Sequence, residues 1–159
     1  MNKRFAHLLE KETTVVFDID GVLAAFEFGE LKHNGCRDED WEQFVLEQKP
    51  YDQAKAIPQI KRFIEDKGVE SVYACSVAEP FEEENKRNFV VREYGIPQEH
   101  IVFVRDKKEK LNLLHKLAEN KEEIRVALVE DTTSTLNQIY DVSDFCTIHV
   151  STFFFYGEN

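Results

Sequence analysis

Cysteine is scarce in this sequence and shows no pairing pattern. Cys36, Cys75 and Cys146 are the only three, no two of them form a CxxC motif, and bridging any two would leave the third over. That usage excludes a disulfide scaffold and points to a reducing, cytoplasmic setting. Long apolar runs are missing as well, since none approaches the roughly 20 residues that a bilayer-crossing helix needs. The opening "MNKRFAHLLEKE" carries a basic pair but only Phe5 to Leu9 before charge returns, too short for the apolar region of a signal peptide. Basic charge is in deficit: 20 Lys and Arg stand against 31 Asp and Glu, for a net charge of −11. A protein that coats nucleic acid nonspecifically needs a basic footprint to displace counterions, so that class is excluded. A single phosphate held through a metal ion remains compatible with the acidic whole. Internal repeats, low-complexity tracts and linkers rich in Pro, Gly or Ser are also lacking, so the 159 residues read as one domain. A chain of this length buries roughly 70% of its unfolded surface and needs no covalent or metal staple to fold.

What is present is alternation. "TTVVFDI" is a short buried-strand pattern, followed later by "PQIKRFIEDKG", a helix with Pro58 near its first turn, Ile60, Phe63 and Ile64 on one face and Gly68 as its stop. "ESVYACS" reads as a strand, "EPFEEENKRNFVVREYG" as a highly charged helix ending at Gly95, and "HIVFV" as a strand. In "DKKEKLNLLHKLAEN" Leu111, Leu114 and Leu117 recur at helical spacing; "EIRVALVED" is a fourth strand. "TTSTLNQIY" opens with hydroxyl residues suited to capping a helix, and "DFCTIHVSTFF" is a fifth strand whose final aromatics are expected to be buried. Strands alternating with helices imply parallel pairing, helices on both faces and right-handed crossovers.

In such sheets ligands bind at the carboxyl ends of the strands. Asp18 and Asp20 end the first strand, Ser76 ends the second, and Glu130 with Asp131 ends the fourth. Three strands thus deliver acid or hydroxyl groups to one edge while the rest of each strand is apolar. A solvated turn is the bland account of Asp18 and Asp20, and a turn residue that of Ser76. A calcium loop opened by Asp-x-Asp-Gly fails, because it would want oxygen ligands at Val22 and an acid at Gly29, and would lie between helices.

The motifs together resemble those of the haloacid dehalogenase-like (HAD) superfamily of phosphohydrolases. "VVFDIDGVL" is similar to its first motif, "VYACS" with Ser76 to the second, a lysine within "RDKKEKLNLL" to the third and "VALVEDT" to the fourth, all in the family's order across residues 13–139. The resemblance implies a Rossmann-like three-layer sandwich with a mainly parallel five-stranded sheet and a small insert after the first strand. It also implies a phosphomonoester hydrolase in which Asp18 attacks phosphorus to give an aspartyl-phosphate, and Asp20 protonates the leaving oxygen and then deprotonates water. Ser76 would donate to a phosphoryl oxygen, and a lysine would neutralise charge building on the phosphoryl group. Lys107, Lys108 and Lys110 all lie close to the helix start; Lys110 is preferred, because "EKLNLL" places it in the first turn.

A dianionic phosphate approaching four carboxylates would be repelled without a cation, and Mg²⁺ suits an all-oxygen site completed by water and substrate. By resemblance, the Asp18 carboxylate, the Asp20 backbone carbonyl and Asp131 would hold it, with Glu130 directly or through water. A haloalkanoate dehalogenase fits less well, having no need for a second acid such as Asp20. A non-catalytic phosphate- or partner-binding protein is the competing class.

Residues 24–57 form the insert. "AAFEFGELKHNG" reads as a hairpin-like flap with its tip near Asn34 and Gly35. "DEDWEQFVLEQ" reads as a short helix with Asp38 as cap and Trp41, Phe44 and Val45 on one face. Such an insert partly roofs the strand ends, and a lightly covered site admits a bulky phosphorylated substrate such as a nucleotide, a nucleic-acid end or a phosphoprotein. The run Arg105, Lys107, Lys108 and Lys110 could meet a second phosphate, its bland account being a solvated turn. The acidic run Glu82 to Glu84 reads as a solvated first helical turn, Cys75 as a buried core thiol, and the five histidines, which share no ligand spacing, as surface or core residues.

Overall fold

The computed structural model describes residues 2–26 and 36–158. Five strands, β1 (Thr14–Phe17), β2 (Val72–Val77), β3 (Ile101–Val104), β4 (Val126–Glu130) and β5 (Cys146–His149), form one sheet in the order β3-β2-β1-β4-β5. Every pairing is parallel, with Phe17 opposite both Ala74 of β2 and Val129 of β4. The expected Rossmann-like sandwich is therefore present, and its sheet is wholly rather than mainly parallel.

Strand alternation divides the core in two. Val15 and Phe17 face a cluster built with Phe5 and Leu8 of α1 (Lys3–Leu9), Ile60, Phe63 and Ile64 of α4 (Pro58–Lys67), and Phe89 and Val90 of α5 (Pro80–Tyr94). Val16, Cys75 and Leu128 face the opposite cluster, with Leu114 of α6 (Lys108–Leu117) and Ile139 of α7 (Thr133–Val142). On the first face Phe17, Phe63, Phe153 and Phe5 pack edge to face or tilted, with Phe63 and Phe153 centroids 5.1 Å apart and Phe5 and Phe153 5.4 Å apart. Such pairs are worth about 0.5–1.5 kcal/mol each beyond their burial, and they fix α1 and α4 against β1.

The segment after β1 contributes α2 (Trp41–Gln48) and α3 (Pro50–Gln53), which pack beside α5. Val45 and Tyr51 are fully buried there, with Trp41 and Phe44 packed against the same core. Asp38 is not a side-chain cap; it begins a 3₁₀ turn, Asp38–Asp40, that leads into α2 without a capping hydrogen bond. The expected flap tip near Asn34 and Gly35 lies outside the described residues. The fifth strand is shorter than its apolar pattern suggests. After His149 the chain turns into a 3₁₀ segment, Val150–Phe153, that buries Phe153 and leaves Phe154 and Phe155 exposed. No helix among the described residues is long and apolar enough to cross a membrane.

Candidate active site

The chain leaves β1 through a tight turn. The Asp18 amide still bonds to the Val129 carbonyl of β4, after which the Ile19 carbonyl accepts the amides of Val22, Leu23 and Ala24. Gly21 has φ +79°, and a Cβ built there would lie 2.2 Å from Oδ2 of Asp131. Only glycine lets the β1 turn approach the end of β4 this closely.

Asp18 is buried beneath that turn, and Lys110, on the first turn of α6, reaches it from the other side of the sheet edge. Its Nζ lies 2.9 Å from Asp18 Oδ1 and 2.9 Å from Glu130 Oε2, with lysine and Glu130 almost fully enclosed. Asp106 sets up the helix start, its Oδ1 accepting the amides of Lys108 and Glu109. Of the three lysines near that start, Lys110 enters the site and Lys107 and Lys108 stay exposed. Arg105 is exposed, donating to the Ala78 carbonyl and pairing with Glu83 at 2.8 Å.

One ammonium cannot compensate two buried carboxylates equally. Burial, reinforced by the negative charge of Glu130, pushes the Asp18 carboxyl up against the lowering pull of Lys110. Burial acts on Glu130 in the same direction, but hydrogen bonds from Asp131, Lys110 and Asp18 outweigh it and hold Glu130 low. Burial would also lower the Lys110 ammonium; the charges of Asp18 and Glu130 reverse that and hold it well above the usual lysine range. Asp131, exposed at the mouth, is raised to about 6 by partial burial and by Glu130.

Asp18, Glu130 and Asp131 each present a carboxylate oxygen within 4.8 Å of the others. An all-oxygen donor set with Asp131 open to solvent fits a hard, partly hydrated cation such as Mg²⁺ better than a soft or imidazole-seeking one. The Asp20 side chain stands apart from this cluster. Its Oδ1 accepts a 2.5 Å hydrogen bond from the Tyr51 hydroxyl and its Oδ2 a 2.8 Å ion pair from Lys86.

Lys86, on α5, was not marked by the sequence motifs, and neither was Tyr51. Its ammonium is fully buried and also donates to Ser76 Oγ at 3.0 Å and to the Val77 carbonyl at 3.1 Å. Ser76 sits at the expected strand end, but it is 1% exposed and its hydroxyl turns to Lys86 and to the Val77 carbonyl. Glu82 departs from the solvated turn expected for the acidic run. It is buried, closes a capping box with Glu79, accepts the Trp41 indole at 2.6 Å and lies 3.3 Å from Lys86. Only Glu84 of that run is fully exposed. Lys86 did carry a signal, because it falls on the same helical face as Phe89 and Val90 and so places a cation within an apolar stripe. Cys75 is the buried thiol expected, pushed up to about 12 by burial.

No protein-family model matches the sequence, and no curated protein sequence matches it. Among solved structures, the fold is similar to those of two hydrolases. One is the 3-deoxy-D-manno-octulosonate 8-phosphate phosphatase of Moraxella catarrhalis, in complex with magnesium ion, phosphate ion and KDO, at TM-score 0.47 and 14% identity over 91% of this chain and 71% of that one. The other is a HAD-family hydrolase of Deinococcus radiodurans R1 with bound phosphate and sodium, at TM-score 0.45 and 15% identity over 77% of this chain and 74% of that one.

Proposed function

We propose that this chain is a Mg²⁺-dependent phosphomonoester hydrolase that works through an aspartyl-phosphate on Asp18. The observation that carries the reading is the enclosed Asp18–Lys110–Glu130 constellation at the carboxyl ends of β1 and β4, with Asp131 beside it and Asp20 two residues beyond the nucleophile. A carboxylate set able to hold a metal ion and a buried cation converge where a dianionic phosphate would need both.

Asp18 attacks phosphorus as the ester oxygen departs, and that oxygen takes a proton from Asp20. Water then attacks the aspartyl-phosphate, giving its proton to Asp20, and inorganic phosphate leaves with Asp18 restored. Lys110 supplies positive charge to the phosphoryl oxygens during transfer, shifting part of its contact from Asp18 to them. Asp18, Asp131 and the Asp20 backbone carbonyl would hold Mg²⁺, with Glu130 directly or through water, and the ion would neutralise phosphate charge against the surrounding acids. Because the Ser76 hydroxyl is committed to Lys86 and Val77, Lys110 carries more of the phosphate binding than the motif resemblance implies.

The test is phosphate release from nucleotides, sugar phosphates, phosphopeptides and oligonucleotide ends, with and without Mg²⁺. Metal-dependent turnover of at least one class is expected. Thermal stabilisation by inorganic phosphate without turnover of any ester would favour the non-catalytic binding protein instead.

A further inference from the structure

We propose that Lys86 and Tyr51 are positioning residues for Asp20, a two-sided clamp that fixes the orientation of the acid–base carboxylate and is closed behind by Glu82 and Trp41. The inference rests on the hydrolase reading above and assigns to the insert after β1 a part in the chemistry.

An ammonium has three protons to donate. Those of Lys86 are matched by three acceptors, Asp20 Oδ2 at 2.8 Å, Ser76 Oγ at 3.0 Å and the Val77 carbonyl at 3.1 Å, and the side chain is 0% exposed. It therefore has no proton left for a phosphoryl oxygen, in contrast to Lys110, and acts on the reaction through Asp20. Tyr51 takes the other oxygen. Its hydroxyl donates to Asp20 Oδ1 at 2.5 Å from a fully buried side chain. With both oxygens held, the carboxylate cannot rotate about its terminal bond without breaking a part-buried hydrogen bond. The Asp20 side chain stays 37% exposed, and each oxygen keeps a further lone pair, one of which carries the proton that Asp20 gives to the leaving oxygen.

The clamp is itself held. Glu82 Oε1 lies 3.3 Å from Lys86 and accepts the Trp41 indole at 2.6 Å, and the Trp41 and Tyr51 rings meet edge to face at 6.5 Å. Lys86 also stands 5.8 Å over the Tyr51 ring. Trp41 and Tyr51 come from α2 and α3, Glu82 and Lys86 from α5 and Asp20 from the β1 turn, so five side chains from three stretches of sequence close one ring that includes the Asp20 carboxylate. Burying a cation with two acids is rarely favourable for stability compared with an apolar filling, so stability is a poor account of why the lysine is there.

The consequence is specific to the leaving group. General acid catalysis contributes about 10²- to 10⁴-fold where the departing oxygen needs a proton and little where it leaves as a stable anion. The experiment is first-turnover release of the leaving group by the Mg²⁺-loaded protein, using a primary alkyl phosphate and 4-nitrophenyl phosphate. Wild type, Asp20→Asn, Lys86→Met and Tyr51→Phe are compared. Lys86→Met is expected to lose about 10²-fold on the alkyl ester and under about 10-fold on the aryl ester, tracking Asp20→Asn. Tyr51→Phe should show the same preference more weakly, and it carries the test alone if Lys86→Met does not fold. Equal losses on both esters, or no loss, would overturn the clamp while Asp20→Asn still discriminates. If Asp20→Asn does not discriminate, or wild type turns over neither ester, it is the hydrolase reading that fails.

Discussion

Lys110 Nζ stands 2.9 Å from Asp18 Oδ1, and a second 2.9 Å contact ties the same nitrogen to Glu130, so one buried cation joins the ends of two neighbouring strands. Removing it should do more than slow the chemistry. Lys110→Met leaves the enclosed Glu130 carboxylate without its cation beside the raised Asp18 carboxyl, and breaking a buried pair in this way costs about 3–5 kcal/mol. Denaturant unfolding at neutral pH should show a loss of that order, shrinking in acid as Glu130 protonates. Lys107→Met and Lys108→Met, on exposed side chains, should stay within about 0.5 kcal/mol of wild type.

The raised acids set a pH dependence. Burial raises Asp18 from 3.8 to about 8 and Asp131 from 3.8 to about 6. A carboxyl whose folded pKa exceeds its unfolded value binds more protons when folded, so these two groups contribute stability below about pH 4 that is progressively lost as pH rises toward 8. Glu130, lowered from 4.5 to about 2, acts oppositely, and its contribution disappears only as pH falls through that acid range. A cation on Asp18 and Asp131 relieves the first effect and releases protons as it binds. Melting temperatures with saturating Mg²⁺ should therefore exceed those without it by more at pH 8 than at pH 6, and calorimetric titration in two buffers should show net proton release.

Gly21→Ala should separate metal binding from folding. The new methyl would sit 2.2 Å from Asp131 Oδ2 on a backbone with φ +79°, so Asp131 must move. Strain of this kind costs about 1–3 kcal/mol. Mg²⁺ affinity should fall at least tenfold with the far-ultraviolet spectrum unchanged; unaltered affinity would remove Asp131 from the site.

The alternation of strands and helices, and the acids at strand ends, were legible because local patterns carry them. "TTVVFDI" and "RVALVED" need only their own apolar runs and terminal acids to be placed at one sheet edge. Lys110 was only a preference, because Lys107 stands at the same helical spacing from two leucines; the packing of α6 on the sheet encloses Lys110 and leaves Lys107 and Lys108 exposed. Tyr51 and Lys86 were not legible, since each meets Asp20 only after the chain has folded, across 31 and 66 residues. Glu82 misled for a related reason: its charge and first-turn position fit a solvated helix start, and the Trp41 indole and Lys86 ammonium that bury it are 41 residues away and one helical turn on. The last strand was overextended because hydrophobicity continues through Phe155, although β5 has paired with β4 only as far as His149.

The proposed reaction turns on phosphorylation of Asp18. Acid-quenched protein sampled during turnover of a phosphate ester, then digested and mapped by mass spectrometry, should carry one phosphoryl group on Asp18, and Asp18→Asn should show neither the label nor turnover above a few per cent while keeping its fold. Continued turnover by Asp18→Asn, or label on any other residue, would contradict the account.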